Sequence, residues 1–409
     1  MNPKGPWDRL DSWFRLSRLS FPVPAHSKHL FYTLGGISFV GFMILFFTGL
    51  FLTQFFDPDP ETAEKSVRAI MKEVPGGRFI RSLHYWTAQA VVIALCLHLL
   101  RVFVTGAYKF PRTMTWYLGV GLFFTATMGS YFSGTVIKWD QEGYEALHHY
   151  KTVMETLGPL GYWFGEKLAG AISLNLRMYT YHITLAPLAI IILVVGHFYL
   201  IHVFNISPLP RGAGARQAEV PREELTGTFT EHLRSIALFS LIYYGAVVVL
   251  SLLISAPLGQ ERLDHFTGEK PPWIYFWMYG LEHFTGIQGI LYGSLALLIL
   301  MFLIPLLDRG ESRDPMERKG ILATGLVAVL VMASFTLFAW LSPPEVHHGG
   351  GGHHMEEPAL PSPEHEMGPA PSGDQPKEKM PPPSDLPAAR LPDGQGQAGT
   401  HSHEEGDPH

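Results

Sequence analysis

Four histidines in two apolar stretches carry the first chemical signal. The stretch RSLHYWTAQAVVIALCLHLLR, residues 81–101, holds His84 and His98 fourteen positions apart, and HITLAPLAIIILVVGH, residues 182–197, holds His182 and His197 fifteen apart. At 3.6 residues per turn, fourteen residues make just under four turns, so both imidazoles of the first stretch leave one helix face, about 21 Å apart along the axis. Polar residues at membrane depth are costly and mark functional sites by default. Two such helices, each with an upper and a lower histidine, could clamp two haems stacked across a bilayer by bis-histidine ligation. A single histidine in an apolar helix is more often a hydrogen-bonded packing residue. The matched pair in each of two helices is what favours ligation. Arg81 lies three residues before His84, Arg101 three after His98 and Arg177 five before His182, each where a cation at the membrane edge could meet a haem propionate.

Glycines repeat the interval. Gly35 and Gly49 stand fourteen apart, and because glycine permits close approach the pair could make room for two flat macrocycles. Plain helix–helix packing also selects small residues, so only the matched interval favours haem.

Holding such residues in place requires long apolar helices, and the composition supplies them. The 409 residues are 47% hydrophobic and 16% charged, with the apolar content gathered into long runs, as in an all-α polytopic membrane protein. Seven spans are expected, at roughly 30–56, 80–105, 115–137, 178–204, 236–256, 285–307 and 320–341. The single cysteine, Cys96, lies inside a span and excludes a disulfide framework, a CxxCH haem-c site and a self-supplied iron–sulfur cluster. The net charge of −6 decides nothing.

Residues 1–29 show no apolar core of a secretory signal; Trp7, Leu10 and Phe14 instead share one helical face, as in an interfacial helix. If that segment is cytoplasmic, sixteen of the thirty Lys and Arg residues fall in the short segments 1–29, 101–113, 205–235 and 308–319, which the positive-inside rule favours. His84 and His182 then lie toward the outside, and His98 and His197 toward the cytoplasm. From Ser342 onward Pro, His, Glu and Gly dominate without a periodic apolar face, which predicts a disordered tail outside the membrane. The expected organisation is an N-terminal interfacial segment (1–29), a di-haem four-helix domain (30–204), a cytoplasmic loop (205–235), a three-helix domain (236–341) and the tail (342–409).

At this point the residues resemble a family. YTLGG (32–36), FDPDP (56–60), SVRAIMKEVPGGRFIRSLH (66–84), the two histidine pairs, WDQ (139–141) and the PPW segment at 271–273 are similar to the cytochrome b of quinol:cytochrome c oxidoreductases, the cytochrome bc family, over roughly residues 20–340. The resemblance implies that His84 and His182 hold an outer, low-potential haem b and that His98 and His197 hold an inner, high-potential one. It implies that Arg81, Arg101 and Arg177 are propionate-side arginines. It further implies quinol oxidation at the outer face near Trp139, Asp140, Pro271 and Trp273. One electron then goes to a Rieske-type iron–sulfur protein and a c-type cytochrome, and the other crosses to reduce quinone near His202, Glu231 and His232. The implied setting is the cytoplasmic membrane, with lipid and quinone as partners, a homodimeric complex and no nucleic acid.

The chain departs from the family in places. Thr33 stands where the photosynthetic branch attaches an extra haem through cysteine, and Gly119 and Gly134 are fifteen apart rather than fourteen. Lys138 replaces a proline before Trp139, and Pro272 replaces the glutamate of the usual Pro-Glu-Trp-Tyr. The proton acceptor for quinol must then lie elsewhere, among Asp140, Glu142, Glu145 and Glu282, with Asp140 first and Glu282 second. A haem-b membrane anchor of a dehydrogenase or hydrogenase is the alternative; a transporter with pH-sensing histidines leaves the paired spacing unexplained.

Overall fold

The computed structural model describes residues 21–165, 173–211, 216, 219–263, 265 and 267–344. The N-terminal interfacial helix and all but the first three residues of the tail lie outside them. Thirteen helices follow in order among the described residues. They are α1 (Leu30–Leu52), α2 (Ala63–Lys72), α3 (Gly77–Val104), α4 (Thr113–Phe124), α5 (Phe132–Ile137), α6 (Gln141–Thr156), α7 (Pro159–Phe164), α8 (Leu174–Thr180), α9 (Ala186–Phe204), α10 (Phe229–Leu253), α11 (Phe276–Thr285), α12 (Gln288–Leu307) and α13 (Lys319–Leu341). A π-helical turn, Thr125–Tyr131, joins α4 to α5, and a second, Tyr181–Leu185, joins α8 to α9, so each pair reads as one span. Two short strands, β1 (Pro22–Val23) and β2 (Gly227–Thr228), pair antiparallel and tie the chain before α1 to the start of α10.

Among the described residues seven helices are long and apolar enough to cross a membrane: α1, α3, α4–α5, α8–α9, α10, α12 and α13. This is a multi-pass integral membrane protein. In hydrocarbon every backbone polar group needs a partner, so these runs are uninterrupted or π-bulged, and where Pro305 breaks the ladder of α12 the Trp116 indole donates to the freed Met301 carbonyl at 2.8 Å. Their outward faces carry large apolar side chains such as Leu241, Leu253 and Val195. Helix α10 begins seven residues before the expected span, because Thr228 and Glu231 close a reciprocal capping box ahead of it. The sixth span is preceded by the separate helix α11, which ends at Gly286 with φ 71°.

The core lies between helices rather than around one centre. Leu34 and Ile37 of α1 pack with Ala90 and Ala94 of α3 and with Tyr244 and Val247 of α10. Tyr108, Trp116 and Val120 pack against Met301 and Ile304 of α12. Val136, Trp139, Leu147, Leu174 and Met178 form a third cluster, which anchors α6 beneath the end of α5. Helices α1 and α3, and α4 and α9, are direct neighbours, and that pairing brings the four histidines inward.

Candidate functional site

Each histidine ring meets a glycine on the neighbouring helix. A β-carbon at Gly49 would lie 3.5 Å from His84 Cε1, and one at Gly35 would lie 3.0 Å from His98 Cε1. One at Gly134 would lie 2.8 Å from His182 Cε1, and one at Gly119 would lie 3.5 Å from His197 Cε1. The small residues thus seat the imidazoles, and Gly119 belongs to the set despite its fifteen-residue interval.

Both irregular intervals have one cause. A π turn holds one residue more than the α-helical turn it replaces. The turn Thr125–Tyr131 lies between Gly119 and Gly134, and the turn Tyr181–Leu185 contains the start of the His182–His197 interval. Fifteen residues with a π turn therefore return a side chain to the face that fourteen reach in the unbroken helices α1 and α3.

The rings are also held from behind. His84 Nδ1 lies 2.9 Å from Thr48 Oγ1, whose own hydrogen goes to the Ile44 carbonyl at 2.7 Å, so Nδ1–H is the donor. His182 Nδ1 donates to the Ser130 carbonyl at 2.9 Å and lies 3.1 Å from Ser133 Oγ. His197 Nδ1 donates to the Thr115 carbonyl at 3.0 Å. A proton fixed on Nδ1 leaves the Nε2 lone pair for a metal. The His98 Nδ1 atom is buried without a hydrogen-bond partner.

The ring centroids of His84 and His182 are 6.4 Å apart. Two metal–imidazole bonds of about 2 Å, with about 1 Å more from each ring nitrogen to its centroid, span about 6 Å. A haem iron held by both rings would fit that gap. No three His, Cys, Asp or Glu converge on a metal among the described residues, so the donors come in pairs, as they would where a macrocycle supplies the other four. Arg101 adds to the fit at the His98/His197 end. Its guanidinium covers the Tyr32 ring at 4.6 Å while its Nε is buried and unpartnered, ready for an anionic oxygen. Arg81 donates to the carbonyls of Ala256 (3.3 Å) and Pro257 (3.0 Å), and Arg177 to that of Gly165 (2.7 Å). Thr33 is fully buried and donates to the Leu30 carbonyl at 2.8 Å.

At the His84/His182 end the WDQ segment meets the loop before α11, and that loop runs on into the PPW segment. Trp139 takes a positive φ of 57° to turn the chain into α6. Asp140 then caps that helix, accepting from Gly143 N at 3.0 Å, and its other oxygen pairs with Lys138 at 3.1 Å. Burial works against a charge on Lys138, but Glu142 and Asp140 outweigh it and hold its pKa above the ordinary lysine value. Gln141 and Glu145 staple the loop to α6 through Leu263 N (2.8 Å), the His265 carbonyl (3.0 Å) and Thr267 N (2.8 Å). Of the four candidate bases, Asp140, Glu142 and Glu145 are therefore committed to structure. Pro271 and Pro272 lead into Trp273, whose indole donates to Gln89 at 2.6 Å; Tyr131 donates to the same oxygen at 2.9 Å. Glu282 stands apart, 3.5 Å from His149. Gln89, Tyr131 and His149 escaped the sequence reading because nothing in their local spacing distinguishes them.

At the opposite end His202 packs edge-on against Phe21 at 4.8 Å, Phe21 stacks on Phe229 at 4.7 Å, and Phe229 neighbours His232 at 6.0 Å. His232 Nδ1 donates to the Ser27 carbonyl at 2.8 Å. Glu231 is shared between the capping box and Lys28, 3.0 Å away. His26, buried nearby and bonded to the Ser207 carbonyl at 3.0 Å, has its pKa lowered chiefly by burial.

Comparison with known proteins gives one consistent answer. The family model described as Cytochrome b/b6/petB matches residues 18–205. The cytochrome b6 of Heliobacterium mobile is 36% identical over 190 residues, 46% of this chain and 89% of that protein. That of Euglena gracilis is 37% identical over 190 residues, 45% of this chain and 87% of that protein. A solved chain titled "Hyperthermophilic respiratory Complex III" shares the fold with a TM-score of 0.65 at 19% identity, over 82% of this chain and 91% of that one.

Proposed function

The chain belongs to the cytochrome b/b6 family, and from that premise we propose that it is the di-haem cytochrome b of a quinol:cytochrome c oxidoreductase. The observation that carries the reading is the facing of His84 and His182, ring centroids 6.4 Å apart, together with a glycine against each of the four rings and Nδ1 bonds that fix three of them. His84 and His182 hold one haem b, and His98 and His197 the other. When bound, the haems supply one-electron carriers near the two membrane faces. The chain's own work is to present Nε2 of each ring, to exclude water from the bundle, and to offer Arg101 to a propionate. Arg81 and Arg177 meet propionates only by giving up or sharing their present carbonyls.

Quinol is oxidised at the His84/His182 end, between the Trp139–Asp140 turn and the Pro271–Trp273 segment, and quinone is reduced at the other end beside His202, with Glu231 and His232 shaping its wall. The first end faces outside and the second the cytoplasm, so turnover adds to proton-motive force. Since Cys96 alone cannot supply an iron–sulfur or haem-c site, those functions reside on a Rieske-type protein and a c-type cytochrome in the same, dimeric, complex. The test is haem counting. His98→Leu and His197→Leu are each expected to lose one haem of two while keeping the other, as measured by pyridine haemochrome. Two haems per chain in both variants would overturn the ligand assignment.

A further inference from the structure

Beside the Pro271–Trp273 segment, α11 and α6 bring together a pair that nothing above employs. Glu282 is 4% exposed; its Oε1 lies 3.5 Å from His149 Nε2, and its Oε2 is buried with no hydrogen-bond partner. An unsatisfied buried carboxylate oxygen is costly and calls for a donor. His149 is oriented toward it. Its Nδ1 lies 2.8 Å from the Glu145 carbonyl, which only accepts, so Nδ1 carries a proton and Nε2 is turned to Glu282. Burial works against a charge on His149, but Glu282 outweighs it and raises the pKa. A single proton between Nε2 and Oε1 would satisfy both atoms, while Oε2 stays buried without a partner.

The elements that carry the couple reach toward the His84/His182 pair through aromatic contacts. His182 is held by Ser130 and Ser133; Phe132, next to Ser133, packs against Tyr150 at 5.8 Å and Tyr275 at 6.3 Å. Tyr150 follows His149, and Tyr275 opens the helix that carries Glu282. Among the described residues the other ionisable groups around it are few. Glu145 is bonded to Gln141 and Thr267, and His283 packs on Phe338 at 4.9 Å. Glu269 has its pKa raised by burial and then by Glu142, Glu145 and Asp140. Helix α12, packed on both α6 and α11, brings only Tyr292, and the sole charged residue of α13, Lys319, stands at its start.

Resting on the quinol-oxidising function proposed above, we propose that Glu282 receives a proton from bound quinol and that His149 is the positioning residue that shares it. A quinol O–H bond breaks and an Oε2–H bond forms, while the proton already shared settles on His149 Nε2. The two electrons leave to the one-electron acceptors of the complex, and the second hydroxyl proton passes to water.

The test uses the intact detergent-solubilised complex with quinol and cytochrome c, with both haems verified spectroscopically. Glu282→Gln is expected to slow quinol oxidation by about 100-fold, the scale of a lost general base. His149→Gln is expected to shift the acid limb of the pH profile, and Glu282→Asp to restore part of the rate. Should Glu282→Gln fail to assemble, infrared difference spectra of the wild-type complex decide: adding quinol should raise a carboxylic-acid C=O band, and that band should shift in His149→Gln. A wild-type rate and pH profile in Glu282→Gln, no such band, or a pH shift produced by Glu142→Gln instead would overturn the assignment. A wild-type complex that oxidises no quinol overturns the function on which it rests, which is a separable result.

Discussion

At Gly134 and Gly35 a methyl group would press on an imidazole at 2.8 and 3.0 Å, whereas at Gly49 and Gly119 it would meet its ring at an ordinary 3.5 Å. Interiors packed at this density do not absorb such crowding without shifting the ring. Gly134→Ala and Gly35→Ala are therefore expected to weaken or lose one haem each and to shift its potential, while Gly49→Ala and Gly119→Ala keep both haems. Redox titration followed at the haem absorption bands distinguishes the two classes; equal behaviour of all four variants would show that the glycines do not seat the rings. The two ends also differ behind the rings, since His84, His182 and His197 are each bonded through Nδ1 and His98 is not.

Between elements, two devices set the geometry. The π turn before His197 lets a fifteen-residue interval serve as fourteen. Deleting Thr184 from it should leave a regular helix with both haems bound, whereas deleting Ala90 from the unbroken α3 rotates His84 against His98 by about 100° and should lose a haem. Haem content of the purified variants decides, and loss of a haem in the Thr184 deletion would refute this account. The second device is a buried ion network. Asp308 accepts from Lys109 at 2.8 Å, from Tyr108 at 2.5 Å and from Arg318 at 2.8 Å, and so locks the α12–α13 connection to the loop after α3. Asp308→Asn leaves two buried cations unpaired and should cost about 3–5 kcal/mol, read as a lower thermal midpoint in detergent. Burial alone would raise the Asp308 pKa, but Lys109, Tyr108 and Arg318 lower it below the ordinary carboxylate value. The contribution is therefore complete above the ordinary carboxylate pKa and lost as pH falls through the lowered one. The wild type should lose stability on acidification more steeply than Asp308→Asn.

For the whole molecule the membrane is the organising solvent. Large apolar side chains cover the outside of the spans, while histidines, glycines and hydroxyls face one another inside. On the function proposed above, a chain with one cysteine would need partners to complete quinol oxidation. Mild-detergent purification should co-isolate an iron–sulfur protein and a c-type cytochrome, detected by electron paramagnetic resonance and by haem-stained gels. A solitary chain turning over quinol with a soluble acceptor at full rate would refute that expectation.

The amino-acid sequence by itself determined the class and singled out four histidines as candidate ligands. Long apolar runs dictate membrane helices, and polar residues repeating at whole-turn intervals in such runs must share a face. The four histidines, Gly35, Gly49 and Gly134 were legible because the helix period relates positions within one element. What lies between elements was not. No spacing in the chain signals that Asp140 spends both oxygens on Gly143 and Lys138, because Lys138 could as well have turned elsewhere. The π turns were visible only as an interval one residue too long. His149 and Glu282, 133 positions apart, meet only when α6 and α11 are packed together. Contacts across that distance depend on how whole helices dock, and docking is decided by the summed burial of many side chains rather than by the local period.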